Sequence, residues 1–222
     1  MTDPAPARRP RAERGDYRVN HLRLLEAAFA VFDDAGIDAP LSAVAQVAEV
    51  GEATLYRHFA NRDDLVVELY DVAAGRVEDA VRETLESEHR DVAARLDAFF
   101  ATMVGAIAAH RSYPQLAIRG SRLRPGRGVD PRTLVLLREL VAEAQESGLL
   151  ERDVLASDLT TLALTTGTLA ADATPATDFV WRRHLALGRR GLVPGDGIGR
   201  NRELESIEVP AHRFGTRDSS LP

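Results

Sequence analysis

Cysteine is absent from this 222-residue chain, and so is lysine. The first absence excludes a disulfide, a thiolate metal site and a cysteine nucleophile. The second leaves arginine as the only strong cation, with 28 copies. Long apolar runs are missing too, since none approaches the ~20 residues of a membrane-spanning helix. The opening stretch MTDPAPARRPRAERGDYR has charge and proline but no apolar segment, so it does not read as a secretory leader. The expected compartment is the cytoplasm, with no membrane contact. No segment alternates with period two for long enough to make a strand, and no internal repeat is visible. HExxH, GxSxG, P-loop and zinc-type Cys/His spacings are all missing, so no catalytic residue, cofactor or metal is expected, and the chain does not read as an enzyme.

What is present is ordinary for a globular protein: 45% hydrophobic and 28% charged residues, enough apolar material for a sizeable core. The formal charge of −6 is unevenly spread. Residues 1–24 hold Arg8, Arg9, Arg11, Arg14, Arg18 and Arg23 against Asp3, Glu13 and Asp16. A basic arm on an acidic body suits a protein that meets a polyanion at one end. Taken alone, the same charges fit a solvated leader.

The periodicity predicts an all-α fold of about nine helices. Residues 1–19 lack a stripe and are expected to form a flexible arm. From Asn20, Leu22, Leu25, Phe29 and Phe32 recur at helical spacing, and Gly36 is placed to end the helix. Leu41, Val44, Ala45 and Ala48 mark a short second helix. After a turn at 49–51, ATLYRHF (53–59) forms a third, with Leu55 and Phe59 on its inner face. Asn61 can cap a long fourth helix striped by Leu65, Leu69, Val72, Val77, Val81 and Leu85. Further stripes follow over 92–107, 114–122, 131–147, 155–174 and 177–193. Asp130-Pro131 serves as a cap and first turn, Gly148 as a stop, and Thr177 as a cap. Residues 195–222, rich in glycine, proline and charge, are expected to be a disordered tail.

Three short helices in residues 20–60 with a tight turn before the third have helix-turn-helix proportions. A recognition helix needs an inner anchor and an outer face that reaches base edges. With Leu55 and Phe59 inside, Thr54, Tyr56, Arg57 and His58 are left to face outward. Thr54 offers a hydroxyl and a methyl, and Tyr56 a phenol on a flat apolar ring. Arg57 offers a fork for phosphate or guanine, and His58 a ring N–H for phosphate. Ser42, near the start of the second helix, adds a candidate phosphate contact, and Arg14 and Arg18 extend the DNA-binding set from the arm.

LLEAAFAVFDDAGIDAPLSAVAQVAEVGEATLYRHFANRDDLVVEL (24–69) resembles the DNA-binding domain of the TetR family of transcriptional regulators, above all in VGEATLYRHF and the acidic helix start after it. WRRHLALGRRGL (181–192) is similar to the closing helix of one branch of that family. The resemblance implies a helix-turn-helix domain over 20–66 and a larger α-helical ligand-binding and dimerisation domain over 67–194. It also implies a homodimer on a double-stranded DNA operator, repression relieved by a small-molecule effector, and DNA contacts at Thr54, Tyr56 and His58. Two positions depart from the pattern: Glu49, where the family usually has glycine, and Glu52, where a basic or small residue is common.

The expected ligand pocket is drawn from Phe99, Phe100, Met103, Ile107, His110, Tyr113, Leu116, Leu137 and Leu162, on the central helices and their breaks. Plain core packing is the simpler role for each taken singly. The expected dimer surface comprises Leu162, Thr166, Leu169, Trp181 and Leu185. It rests partly on a small-residue face at Thr161, Thr165, Thr166, Gly167 and Thr168. Glu86, Glu88, His89 and Asp91 cluster in sequence, and a solvated face is their simpler reading. Gly195–Gly199 superficially resembles a nucleotide loop but follows a helix rather than a strand. The competing function is a helical small-molecule sensor or scaffold without sequence-specific DNA binding.

Overall fold

The computed structural model describes residues 11–87 and 91–195, and side chains from residue 17 onward. Nine α-helices and no strand occur among the described residues: α1 (Arg11–Ala35), α2 (Leu41–Val47), α3 (Glu52–His58), α4 (Arg62–Glu86), α5 (Val92–Ala108), α6 (Tyr113–Leu123), α7 (Pro131–Glu146), α8 (Ala156–Ala171) and α9 (Asp178–Leu192). One continuous cluster of buried apolar side chains runs from Leu24 to Ala163. No single helix among the described residues is long and apolar enough to cross a membrane.

Helix ends follow local chemistry. Gly36 takes φ +81° and its N–H bonds to the Phe32 carbonyl at 2.9 Å, ending α1 in the left-handed geometry that glycine tolerates. The Asn61, Asp91 and Asp130 side chains accept backbone N–H groups at the starts of α4, α5 and α7. Thr177 does not cap α9. Its hydroxyl oxygen instead accepts the Thr174 N–H at 2.8 Å, closing the preceding turn.

α1 begins at Arg11, so the expected arm over 1–19 is helical from residue 11. The stripe was not visible there because Tyr17, Arg18 and Val19 are exposed. Alanine, arginine and glutamate favour a helix without any apolar face. Leu22 also lies outside, and the buried face of α1 is Leu24, Leu25, Ala28, Phe29 and Phe32.

α2 and α3 pack against the N-terminal part, α4 connects it to the body, and α5 lies between α4 and α8. α6 crosses α4 closely enough that a Cβ on Gly120 would fall 2.5 Å from the Tyr70 ring. α5 and α8 approach as closely, since a Cβ on Gly167 would lie 2.7 Å from the Ile107 Cβ. The small residues of α8 therefore serve, at Gly167, a contact inside the protomer.

Candidate nucleic-acid interface

α3 is seven residues long, too short to hold itself in water, and depends on its anchors. Leu55 and Phe59 are each 1% exposed. Burying two such side chains contributes roughly 3–6 kcal/mol relative to leaving them in water. Their placement leaves Tyr56, 52% exposed, and Arg57 on the outer surface, with Thr54 half-buried at the edge. An Arg57 Nη2–H donates to Thr54 Oγ1 at 2.9 Å, which holds the guanidinium along the helix and leaves the threonine O–H free to donate. Ser42 is exposed in the first turn of α2. Arg18 is exposed on α1, and the Arg14 side chain lies outside the described residues.

His58 departs from the expectation of an outward-facing ring, because α1 reaches further back than the sequence suggested. The ring is half-buried and stacks on Tyr17 with centroids 4.0 Å apart. Its Nδ1 lies 3.3 Å from His21 Nδ1, and His21 Nε2 lies 2.5 Å from Glu68 Oε1. Burial, then the neighbouring His21 and Arg57, lowers the His58 pKa from its usual value, with Glu68 opposing them. Tyr17, His21 and Glu68 thus belong to this edge. Their separations of 37 and 47 residues along the chain gave no signal that they meet.

The two unusual glutamates have local explanations. Glu49 is the one non-glycine residue with positive φ (+55°) among the described residues, in the turn between α2 and α3. Its carboxylate lies 3.5 Å from Arg23. Glu52 sits in the first turn of α3, where a negative charge favours the positive end of a short helix.

The N-terminal helices join the body through polar contacts. Asp33 accepts the Ser112 N–H at 2.8 Å and the Ser112 hydroxyl at 2.6 Å, and its second oxygen lies 3.0 Å from His110 Nδ1. His110 Nε2 faces an Arg76 N–H at 3.3 Å, which fits a ring proton on Nδ1. Arg119 bridges Asp63 and Asp38, and the Ile37 N–H donates to Gln115 Oε1 at 3.3 Å. Every one of these contacts pairs α5–α6 or their turn with α1, α4 or the loop after α1.

A cavity of about 250 Å³ lies among α4, α5, α7 and α8. Four of the nine expected pocket residues line it: Phe99, Met103, Tyr113 and Leu137. The other five do not. Phe100 faces the C-terminal end of α9, Ile107 packs on Gly167, and Leu162 packs on Gly188. Leu116 is wholly enclosed, and His110 is held by Asp33 against the Phe29 ring. Position on the central helices and their breaks singled out all nine but could not separate cavity wall from filled core. The wall also includes Tyr70, Val77, Glu78, Arg127 and Thr133. Burial pushes the Tyr113 phenol up to about 12, so it remains a hydrogen-bond donor. A larger depression of about 420 Å³, lined by Arg138, Gln145, Arg152 and Ser157 among others, lies along α7 and the segment after it.

Of the expected dimer residues, Thr166 is fully buried and its hydroxyl donates to the Leu162 carbonyl, so it faces the protomer's own core. Leu162, Trp181 and Leu185 are half-buried against that core. Leu169 is exposed, as are Phe179, Val180 and Leu187, and α9 has no fully buried residue. Among the described residues no group of three or more His, Cys, Asp or Glu is arranged to hold a metal ion. Glu88 and His89 of the acidic cluster lie outside the described residues, as does the Gly195–Gly199 loop beyond its first residue.

Residues 24–69 match the family model described as bacterial regulatory proteins, tetR family. No curated protein matches the chain. Solved structures share the fold. A TetR transcription regulatory protein from Mycobacterium vanbaalenii is 24% identical, with a TM-score of 0.51 over 82% of this chain and 99% of the other. A TetR family regulator from Marinobacter aquaeolei is 16% identical, with a TM-score of 0.57 over 82% and 100%. The fatty acid degradation regulator FadR from Bacillus halodurans is 20% identical, with a TM-score of 0.52 over 78% and 99%. The match falls on the helices that hold α3 at the surface, and the likeness of fold extends over the body behind them: residues 24–69 carry a DNA-binding domain of the tetR type, on a chain that shares the fold of solved TetR regulators.

Proposed function

We propose that the protein is a homodimeric repressor, released from a two-fold symmetric operator when a small molecule enters the cavity among α4, α5, α7 and α8. The observation that carries this reading is α3: two buried anchors on one side, and Tyr56, Arg57 and the Thr54 edge on the other. Thr54, Tyr56, Arg57 and His58 would meet the major groove, with Ser42, Arg14 and Arg18 adding phosphate contacts. The functional division would follow the helices. Residues 20–66 would read DNA, aided by the start of α1, and 67–194 would sense the effector and pair the protomers.

The pairing surface would be the outer sides of α8 and α9. Leu169, Phe179, Val180 and Leu187 leave a run of apolar side chains in water, which a second copy of the chain would cover. Pairing through α8 and α9 leaves both copies of α3 free to meet successive major grooves, on the order of 34 Å apart.

Release would run through α6. Its first residue, Tyr113, lines the cavity, and the residue before it, Ser112, is bound to Asp33 at the end of α1. An effector that displaces Tyr113 would move Ser112 and, through Asp33, the helices that carry α3. To act this way it must bind the DNA-incompetent arrangement more tightly than the competent one.

Sedimentation equilibrium combined with operator titration tests the reading. The wild-type chain is expected to sediment as a dimer. Phe179→Glu is expected to sediment as a folded monomer with operator affinity reduced at least ~100-fold, because the two half-sites no longer bind as one unit. A wild-type monomer that binds a full operator tightly would defeat the proposal.

A further inference from the structure

Taking the cavity among α4, α5, α7 and α8 as the effector site, its wall has one feature that core packing does not explain. Thr133, in the first turn of α7, is 2% exposed, and its Oγ1 is the single buried side-chain oxygen or nitrogen without a hydrogen-bond partner among the described residues. A buried hydroxyl without a partner is destabilising, and the backbone offers it none there. Thr133 is itself one of the residues that line the cavity. Tyr113 lines the same cavity, and its hydroxyl also makes no hydrogen bond among the described residues.

The charged groups at the cavity are already matched. Arg127 binds Glu78 at 2.9 Å and Asp71 at 3.1 Å, and Arg124 also pairs with Asp71. Two guanidinium groups thus meet two carboxylates, with no spare charge of either sign. A carboxylate ligand would have to take Arg127 from two acids, and an ammonium ligand would have to take Glu78 from Arg127. Either would also lose its own hydration among Val77, Val81, Phe99 and Leu137.

We propose that the effector is an uncharged, mostly apolar molecule of about eleven to fifteen non-hydrogen atoms, the number that fits about 250 Å³ at protein packing density, carrying one carbonyl-type oxygen that accepts hydrogen bonds from Thr133 and Tyr113. The inference rests on the effector reading above, and its test keeps the two apart. Calorimetric titration at pH 7 of the full-length chain uses four probes of matched length: 2-decanone, 1-decene, decanoate and decylammonium. The ketone is expected to bind at least ~10-fold more tightly than either charged probe. Thr133→Val has nearly the same shape and removes the unpartnered hydroxyl, so it should fold at least as stably as wild type. It should weaken 2-decanone about 10-fold and leave 1-decene unchanged, the effect of one buried hydrogen bond. Tyr113→Phe should weaken the ketone in the same direction. Leu137→Trp, which fills the cavity, should abolish binding of ketone and alkene together and so assigns the site.

Three results overturn the inference while leaving a ligand site in place. They are decanoate or decylammonium binding as tightly as the ketone and being blocked by Leu137→Trp, 1-decene matching the ketone, or Thr133→Val leaving ketone affinity unchanged. Absence of binding by all four probes overturns the inference and the reading of the cavity as an effector site with it.

Discussion

Replacing Asp33 by alanine should loosen the N-terminal helices from the body, and the size of the effect follows from what the carboxylate holds. Asp33 Oδ1 accepts two hydrogen bonds from Ser112, its N–H and its hydroxyl, and Ser112 is almost completely buried. In Asp33→Ala both donors lose their partner. An unsatisfied buried donor costs about 1–3 kcal/mol, and the half-buried position of Asp33 lets water reach part of the gap, which points to the lower half of that range. The expected loss is about 2–3 kcal/mol. For a chain of this size each kcal/mol moves Tm by about 2–4 °C, so Asp33→Ala should melt roughly 5–10 °C below wild type in a calorimetric scan. Asp33→Asn keeps one oxygen able to accept from Ser112 and should recover more than half of the loss. The coupling should suffer as well, since an effector that displaces Tyr113 would no longer pull on α1 through Ser112. A Tm for Asp33→Ala within about 1 °C of wild type would refute the reasoning, because the buried Ser112 donors would then be satisfied some other way.

Three further outcomes can be checked. Gly120→Ala places a Cβ 2.5 Å from the Tyr70 ring, so α6 and α4 must separate; urea denaturation should show a loss of about 1–3 kcal/mol. His58 has a pKa lowered by burial and by its cationic neighbours, so the unfolded chain takes up a proton that the folded chain resists. Its contribution to stability is therefore complete above about pH 6.5 and is lost as pH falls from there toward the folded pKa. His58→Asn should flatten that part of a Tm-against-pH curve, and an unchanged slope would argue against the packing of His58 on Tyr17 and His21. Glu49→Gly removes a left-handed non-glycine residue at a cost of greater freedom in the unfolded chain. It should leave stability unchanged or raise it by up to about 1 kcal/mol, and it should tighten DNA binding by removing a carboxylate beside the reading helix.

The sequence was most informative where chemistry is local. Gly36, Asn61, Asp130 and Gly148 mark helix ends through left-handed backbone or a side-chain acceptor within three residues, and the structure uses all four as expected. The outward position of Tyr56 followed from Leu55 and Phe59 alone. What stayed hidden depends on distant partners. His58 is half-buried because Tyr17 and His21 cover part of its ring, and α1 reaches that far only because its first turns form without an apolar stripe. Thr166 and Gly167 resembled an outer small-residue face. The same composition permits close approach to α5 inside the protomer, and periodicity cannot tell the two apart. Thr133 carries no sequence signal at all, because its importance lies in the partner it lacks.

The central claim is that the outer face of α3 reads the duplex. The direct test measures operator affinity by fluorescence anisotropy against salt concentration, for wild type, Tyr56→Ala and Arg57→Ala. Both side chains are exposed, so the variants should melt with wild type. Each should lose at least ~10-fold in affinity, and Arg57→Ala, if it meets phosphate, should also lower the salt slope by about 1. Affinities and slopes that match wild type in both variants would contradict the account.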